Sequence, residues 1–220
     1  MKIKKFFAFL FAITVCMCST LLVHAAEYHI TTFFIGEAAS GKTQICNRIL
    51  GVDYNASTPV TKAVTQYASI DIDIKNYKYK LHLFDSPGAI EMRQTVVEKL
   101  YNNSLDNCDR FVGYVFIVYD LTQKYDETNI IRLEKLYDQV SDVASGATIA
   151  FVGSKIDEKL KSPDYEKNLK ELYKFIGSMK GVQLMLTSAK TNKGISEVLS
   201  FIISTCVKRG LYRKEGCTIL

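Results

Sequence analysis

Eight residues constrain this chain more than any others: Gly36-Glu37-Ala38-Ala39-Ser40-Gly41-Lys42-Thr43. They follow a β-rich run, Tyr28 to Ile35, and precede a helical pattern through Ile45, Ile49 and Leu50. The two glycines permit a tight turn whose backbone N–H groups converge on phosphates, backed by the positive end of the following helix. Lys42 is placed to reach the β- and γ-phosphates of a nucleotide, and the Thr43 hydroxyl to ligate Mg²⁺. A strand before and a helix after separate this from a chance glycine-rich turn. The loop itself leaves ATP and GTP open.

The rest of the body alternates strands with helices. Val64 to Lys75 and Lys78 to Phe84 read as a strand pair joined at Asn76, and Phe111 to Tyr119 as a strand buried on both faces. A helix over Glu127 to Val143 precedes a buried strand at Ala147 to Val152. A helix from about Pro163 to Ile176, a short strand at Val182 to Leu186 and a helix from Ile195 to Val207 complete the order. This pattern predicts an α/β fold with a mostly parallel, six-stranded sheet covered on both faces by helices.

Three further strings fall at strand ends. Phe84-Asp85-Ser86-Pro87-Gly88 places a carboxylate where it can hold Mg²⁺ through water, and Gly88 where its N–H can meet a γ-phosphate. In Phe151-Val152-Gly153-Ser154-Lys155-Ile156-Asp157, the Asp157 carboxylate can accept both the N1–H and the exocyclic amine of guanine. Adenine does not offer that pair of donors. In Thr187-Ser188-Ala189-Lys190, a backbone N–H can meet the guanine O6. Each string alone reads equally well as a turn; four in order, each after a strand, select guanine.

On these motifs the sequence resembles the Ras-superfamily small GTPases, most closely the Rab-like branch, from about Tyr28 to Val207 and in its tail. Val118-Tyr119-Asp120-Leu121-Thr122 and Thr187-Ser188-Ala189-Lys190-Thr191-Asn192-Lys193-Gly194-Ile195 are similar to Rab strings. Residues Val60 to Gly88 also resemble the AIG-type immune GTPases, with their Thr-rich switch and Asp-x-Pro-Gly string. The resemblance implies a P-loop G-domain binding GTP or GDP with Mg²⁺. It implies nucleotide contacts from Gly36 through Gln44 and from Asp85, Gly88, Ser154, Lys155, Asp157, Ser188, Ala189 and Lys190. Tyr54 takes the position of an aromatic packed on the base, and Thr61 that of a switch threonine ligating Mg²⁺ and the γ-phosphate in the GTP state only. Thr58 and Thr65 compete with Thr61 for that role. Catalysis is expected to rest on Lys42, Thr61 and Gly88, and the metal on Thr43, Thr61 and Asp85. The implied partners are state-dependent effectors, an exchange factor and an activating protein, with no nucleic acid.

Several positions depart from the family pattern. Ala89 follows Gly88 where the family has a water-orienting glutamine, which predicts slow intrinsic hydrolysis unless Glu91, Gln94 or a partner's arginine substitutes. Ala38 and Ala39 add methyl groups to the phosphate loop. Ser154 stands where Asn or Thr is usual, and the lost amide predicts weaker nucleotide affinity.

Charge sharpens the view of the two ends. The chain of 220 residues carries 28 basic and 23 acidic side chains, a balance too mild for a nucleic-acid binder. Lys2, Lys4 and Lys5 precede the uncharged run Phe6 to Val23, and small residues at Ala25 and Ala26 suit cleavage, so residues 1–26 read as a secretory signal or an uncleaved anchor. Starting instead at Met17 would shorten that segment. Taking the three leader lysines from the 28 leaves 25 basic residues against 23 acidic ones over 27–220; four of those basic residues lie in the tail, so the body over 27–207 is close to neutral or slightly acidic. At the other end Cys217-Thr218-Ile219-Leu220 follows Lys208, Arg209, Arg213 and Lys214, so residues 208–220 read as a polybasic tail with a prenylation motif at Cys217. A cytosolic lipid and an export signal conflict. Delivery of a bacterial protein into a host cell that prenylates it reconciles them. Cys46, Cys108 and Cys206, the body's cysteines, show no metal-type spacing.

Three functions compete on these residues: a GTP-dependent switch in membrane traffic or signalling, a hydrolysis-deficient GTP-binding scaffold that sequesters host regulators, and a P-loop kinase or ATPase. The Ser154 to Asp157 string disfavours the last.

Overall fold

The computed structural model describes residues 28–59, 61, 65–74, 77–88, 111–144 and 146–208. Six strands form one sheet: β1 (Tyr28–Gly36), β2 (Thr65–Ile74), β3 (Tyr77–Asp85), β4 (Phe111–Asp120), β5 (Thr148–Ser154) and β6 (Gln183–Leu186). The described helices are α1 (Lys42–Ile49), α2 (Glu127–Val143), α3 (Tyr165–Gly177) and α4 (Ile195–Lys208), with a 3₁₀ turn at Ile156–Glu158. Lys208, read from sequence as the start of the tail, is the last residue of α4.

The sheet order is β2-β3-β1-β4-β5-β6, with β2 antiparallel to β3 and the other pairings parallel. Chain order therefore reverses at β1, which has β3 on one side and β4 on the other. In an open α/β sheet that reversal leaves a crevice beyond the carboxyl ends of the central strands, where ligands bind. A register shift between Gln66 and Ala68 of β2 interrupts an otherwise regular pair.

Burial on both faces explains the near-continuous apolar runs of the central strands. Ile30, Phe34, Tyr114, Phe116 and Val118 point to one face, where they meet Ile45 and Cys46 of α1 and Val198, Ile202 and Cys206 of α4. Phe33, Ile35, Val115 and Ile117 point to the other, against Leu133, Leu136 and Val140 of α2 and Leu172 and Ile176 of α3. Three hydrogen bonds from two buried side chains fix how helices sit on this sheet. The Tyr114 hydroxyl donates to the Ile202 carbonyl at 2.9 Å, and Asn168 of α3 donates to the carbonyls of Leu121 and Gln123 at 3.1 and 2.7 Å.

Cys46 and Cys206 are both buried and unoxidised. Burial, reinforced by the Asp85 charge, pushes the Cys46 thiol well above its ordinary value, so it packs as a small apolar group. Among the described residues no helix is long and apolar enough to cross a membrane. The leader, Cys108, the segment 89–110 and the tail with Cys217 lie outside those residues.

Candidate functional site

At the carboxyl ends of the central strands a cleft of about 290 Å³ opens. One end is built by the turn between β1 and α1. Gly41 caps α1 at φ 93° with no side-chain cap bond, and Gly41, Lys42 and Thr43 at the helix's N-terminal end line the cleft. Such an end suits an anion, in contrast to α2, where Asp126 caps by accepting from the Thr128 N–H at 2.8 Å. Ala39 is held in the left-handed region at φ 58°, a conformation uncommon for a residue with a Cβ and often found where a backbone is shaped for a ligand. Lys42 is buried, and its ammonium donates to the carbonyls of Gly36 and Glu37 at 3.2 and 2.8 Å and to Ser40 Oγ at 3.4 Å. Ser40 lies beneath the loop, while Glu37 turns outward to Arg132 of α2 at 2.9 Å.

Beside the loop three oxygens converge. Thr43 Oγ1 and Thr61 Oγ1 each donate to Asp85 Oδ2, at 2.6 and 2.7 Å, and lie 3.0 Å apart. Asp85 is 1% exposed, yet its Oδ1 has no hydrogen-bond partner among the described residues. A buried carboxylate with an open lone-pair set beside two hydroxyls suits a hard cation. An octahedron of Mg²⁺–oxygen bonds has edges of about 2.9 Å, close to these separations. The donor set therefore suits Mg²⁺.

Of the candidate switch threonines, Thr61 is brought to this cluster. Thr58 Oγ1 instead donates to the Asn55 carbonyl at 2.8 Å and accepts from Gln44 Nε2 at 2.5 Å. Thr65 opens β2 opposite Asp85. Gln44, expected at the nucleotide, thus also latches α1 to the 51–61 loop, donating to the Asn55 carbonyl as well. Gly88 abuts the phosphate loop so closely that a Cβ there would lie 2.2 Å from the Ala38 backbone nitrogen. Only glycine fits that approach.

The other end of the cleft gathers Tyr54, Ser154, Lys155, Asp157, Glu158, Ala189 and Lys190. Ser188 lies behind, donating to Asp157 Oδ1 at 2.6 Å and accepting from the Thr191 N–H at 3.0 Å, which fixes the carboxylate's aim. Lys155, at φ 63°, pairs with Asp120 at 2.6 Å, and Lys190 with Glu158 at 3.2 Å. Glu158's carboxyl is held below its ordinary range by Lys161 and then Lys190. Ser154 still ties strand to loop despite the missing amide: its hydroxyl donates to the Ser40 carbonyl at 2.7 Å. Just beyond the Gly153–Leu186 pair of β5 and β6, buried Thr187 Oγ1 has no hydrogen-bond partner among the described residues. Asp120, Glu158 and Arg48 were not singled out from sequence; only the tertiary fold makes them partners of motif residues. Ala89, Glu91 and Gln94 lie outside the described residues.

Comparison with known proteins agrees with this geometry. The sequence profile of the Ras family matches residues 32–208. Among curated proteins, the GTPase Der of Ruegeria pomeroyi is 26% identical over 172 residues, 77% of this chain and 34% of that protein. GTPase Der of Agrobacterium fabrum is 26% identical over 175 residues, 78% of this chain and 35% of that protein. The chain spans about a third of the length of these relatives. The fold is a P-loop G-domain, and the chain belongs to the Ras family.

Proposed function

We propose that this chain is a guanine-nucleotide switch: it binds GTP or GDP with Mg²⁺, and the 51–61 loop is ordered by the γ-phosphate through Thr61. The observation that carries the reading is the convergence of Thr43, Thr61 and Asp85, in which a residue beyond α1 and one of the phosphate loop donate to the same carboxylate oxygen. Mg²⁺, when bound, neutralises phosphate charge and polarises the bond to the γ-phosphate. The chain's own residues do the rest. Lys42 and the first-turn N–H groups of α1 hold the phosphates, Gly88 offers its N–H to the γ-phosphate, and Asp157 with the Ser188–Lys190 turn reads the base. Hydrolysis would release Thr61 and let the loop open.

Intrinsic hydrolysis is slow in this reading, because Ala89 has no group to orient a water. The Rab-like strings favour a role in membrane traffic or signalling, with effectors recognising the ordered loop. Attachment to membranes would come from the tail and Cys217, and the leader would direct export, on sequence grounds alone. The scaffold reading stays as the second, resting on Ala89.

Competition binding tests nucleotide choice: GTP and GDP are expected to displace a labelled guanine nucleotide at concentrations where ATP does not. Single-turnover hydrolysis then separates the two readings. Slow turnover accelerated by an activating protein supports the switch, whereas none under any condition supports the scaffold. Turnover as fast as in glutamine-bearing relatives would contradict the assigned consequence of Ala89.

A further inference from the structure

Arg48 stands in the last turn of α1, six residues after the phosphate-loop lysine and outside every motif read from the sequence. A cation there is favoured by the helix dipole, which accounts for its charge. It does not account for the guanidinium's aim. Nε donates to the Ala189 carbonyl at 2.7 Å, and a terminal nitrogen reaches the Lys190 carbonyl at 3.4 Å. The other terminal nitrogen donates to Asp53 at 2.7 Å. One side chain, 15% exposed, therefore spans from the turn carrying Ala189 and Lys190 to the residue just before Tyr54, so both walls of the base end hang on it.

We infer that Arg48 is a positioning residue for base recognition, an inference that rests on the guanine reading above. By holding the Ala189 and Lys190 carbonyls on the α1 side, it fixes the turn's orientation and so presents the Ala189 N–H toward the base O6. A rigid planar fork reaches two carbonyls and a carboxylate set on different sides of it, where an ammonium's donors all radiate from one atom. The Asp53 arm is minor, since Asp53 is 99% exposed and its ion pair is screened. The base-turn arm is the one that acts.

The test uses the full chain and two probes, GDP and the diphosphate of 2-aminopurine riboside, which lacks O6. Wild type is expected to prefer GDP. Arg48→Ala should narrow that preference roughly tenfold while changing affinity for the O6-lacking analogue less than about twofold. Arg48→Lys, which keeps the charge but not the planar fork, should give an intermediate ratio and covers the case in which the alanine variant does not fold. Asp53→Asn should leave both affinities within about twofold of wild type. Equal weakening of both probes in the Arg48 variants, or no change in the ratio, overturns the inference and leaves the guanine reading standing. No preference for GDP in wild type overturns both.

Discussion

The two ends of the cleft are held by different physics. At the phosphate end the decisive groups are withdrawn from water: Asp85, Ser40 and Lys42 are buried, and their partners are backbone carbonyls and hydroxyls. At the base end the charged side chains lie near the surface. Lys190 is 51% exposed against Glu158, and Lys155 is 36% exposed against Asp120. Buried charge-assisted contacts keep their strength, and exposed pairs are screened by solvent and salt. In the proposed reading the phosphate end governs whether a nucleotide binds, and the base end which nucleotide it is.

Substitutions at the two ends can break this contrast. Lys42→Ala removes a buried cation, and calorimetry should show roughly hundredfold loss of GDP affinity. A loss under about threefold would mean that the phosphate end does not dominate. Asp157→Asn replaces a pure acceptor by an amide that cannot take two donors. It should cost roughly tenfold to hundredfold in GDP affinity and leave pyrophosphate binding unchanged. If pyrophosphate weakens equally, the two ends are not separable.

Smaller effects sharpen the boundary between the ends. Ser154 is the tie across it, and Ser154→Ala would leave the Ser40 carbonyl without that donor. Denaturant unfolding should show about 1–2 kcal/mol lost, with nucleotide release several-fold faster. Thr187→Val removes a hydroxyl that has no partner among the described residues. Its stability should stay within about 1 kcal/mol of wild type or rise.

The smallest effect concerns pH. Because Glu158's folded-state value is depressed, its contribution is complete above the ordinary carboxylate range and is lost as pH falls through the depressed value. The melting temperatures of wild type and Glu158→Gln should therefore differ by a constant amount from neutral pH down to that range. They should converge only below it. Convergence already near neutrality would contradict the sign.

The same contrast explains what could be read from sequence. The phosphate loop is a backbone device, so its glycines, Lys42 and Thr43 sit at fixed spacing and announce it. β4 and β5 were legible because strands buried on both faces are apolar throughout. Arg48 was not legible, since its partner Ala189 is 141 residues away and the helical pattern shows only an amphipathic turn. Nor was the structural role of the Ser154 hydroxyl, whose bond to the Ser40 carbonyl joins β5 to a loop 114 residues away in sequence. The shift between Gln66 and Ala68 had no marker either, with no glycine or proline at the irregularity.

The central claim is that a γ-phosphate and Mg²⁺ together order the 51–61 loop through Thr61. Hydrogen–deuterium exchange of the full chain, loaded with GDP or with a non-hydrolysable GTP analogue, measures this directly. Backbone amides of 51–61 should be protected with the GTP analogue and Mg²⁺, and exchange faster with GDP or after Mg²⁺ is chelated. Equal exchange in all three states would contradict the account.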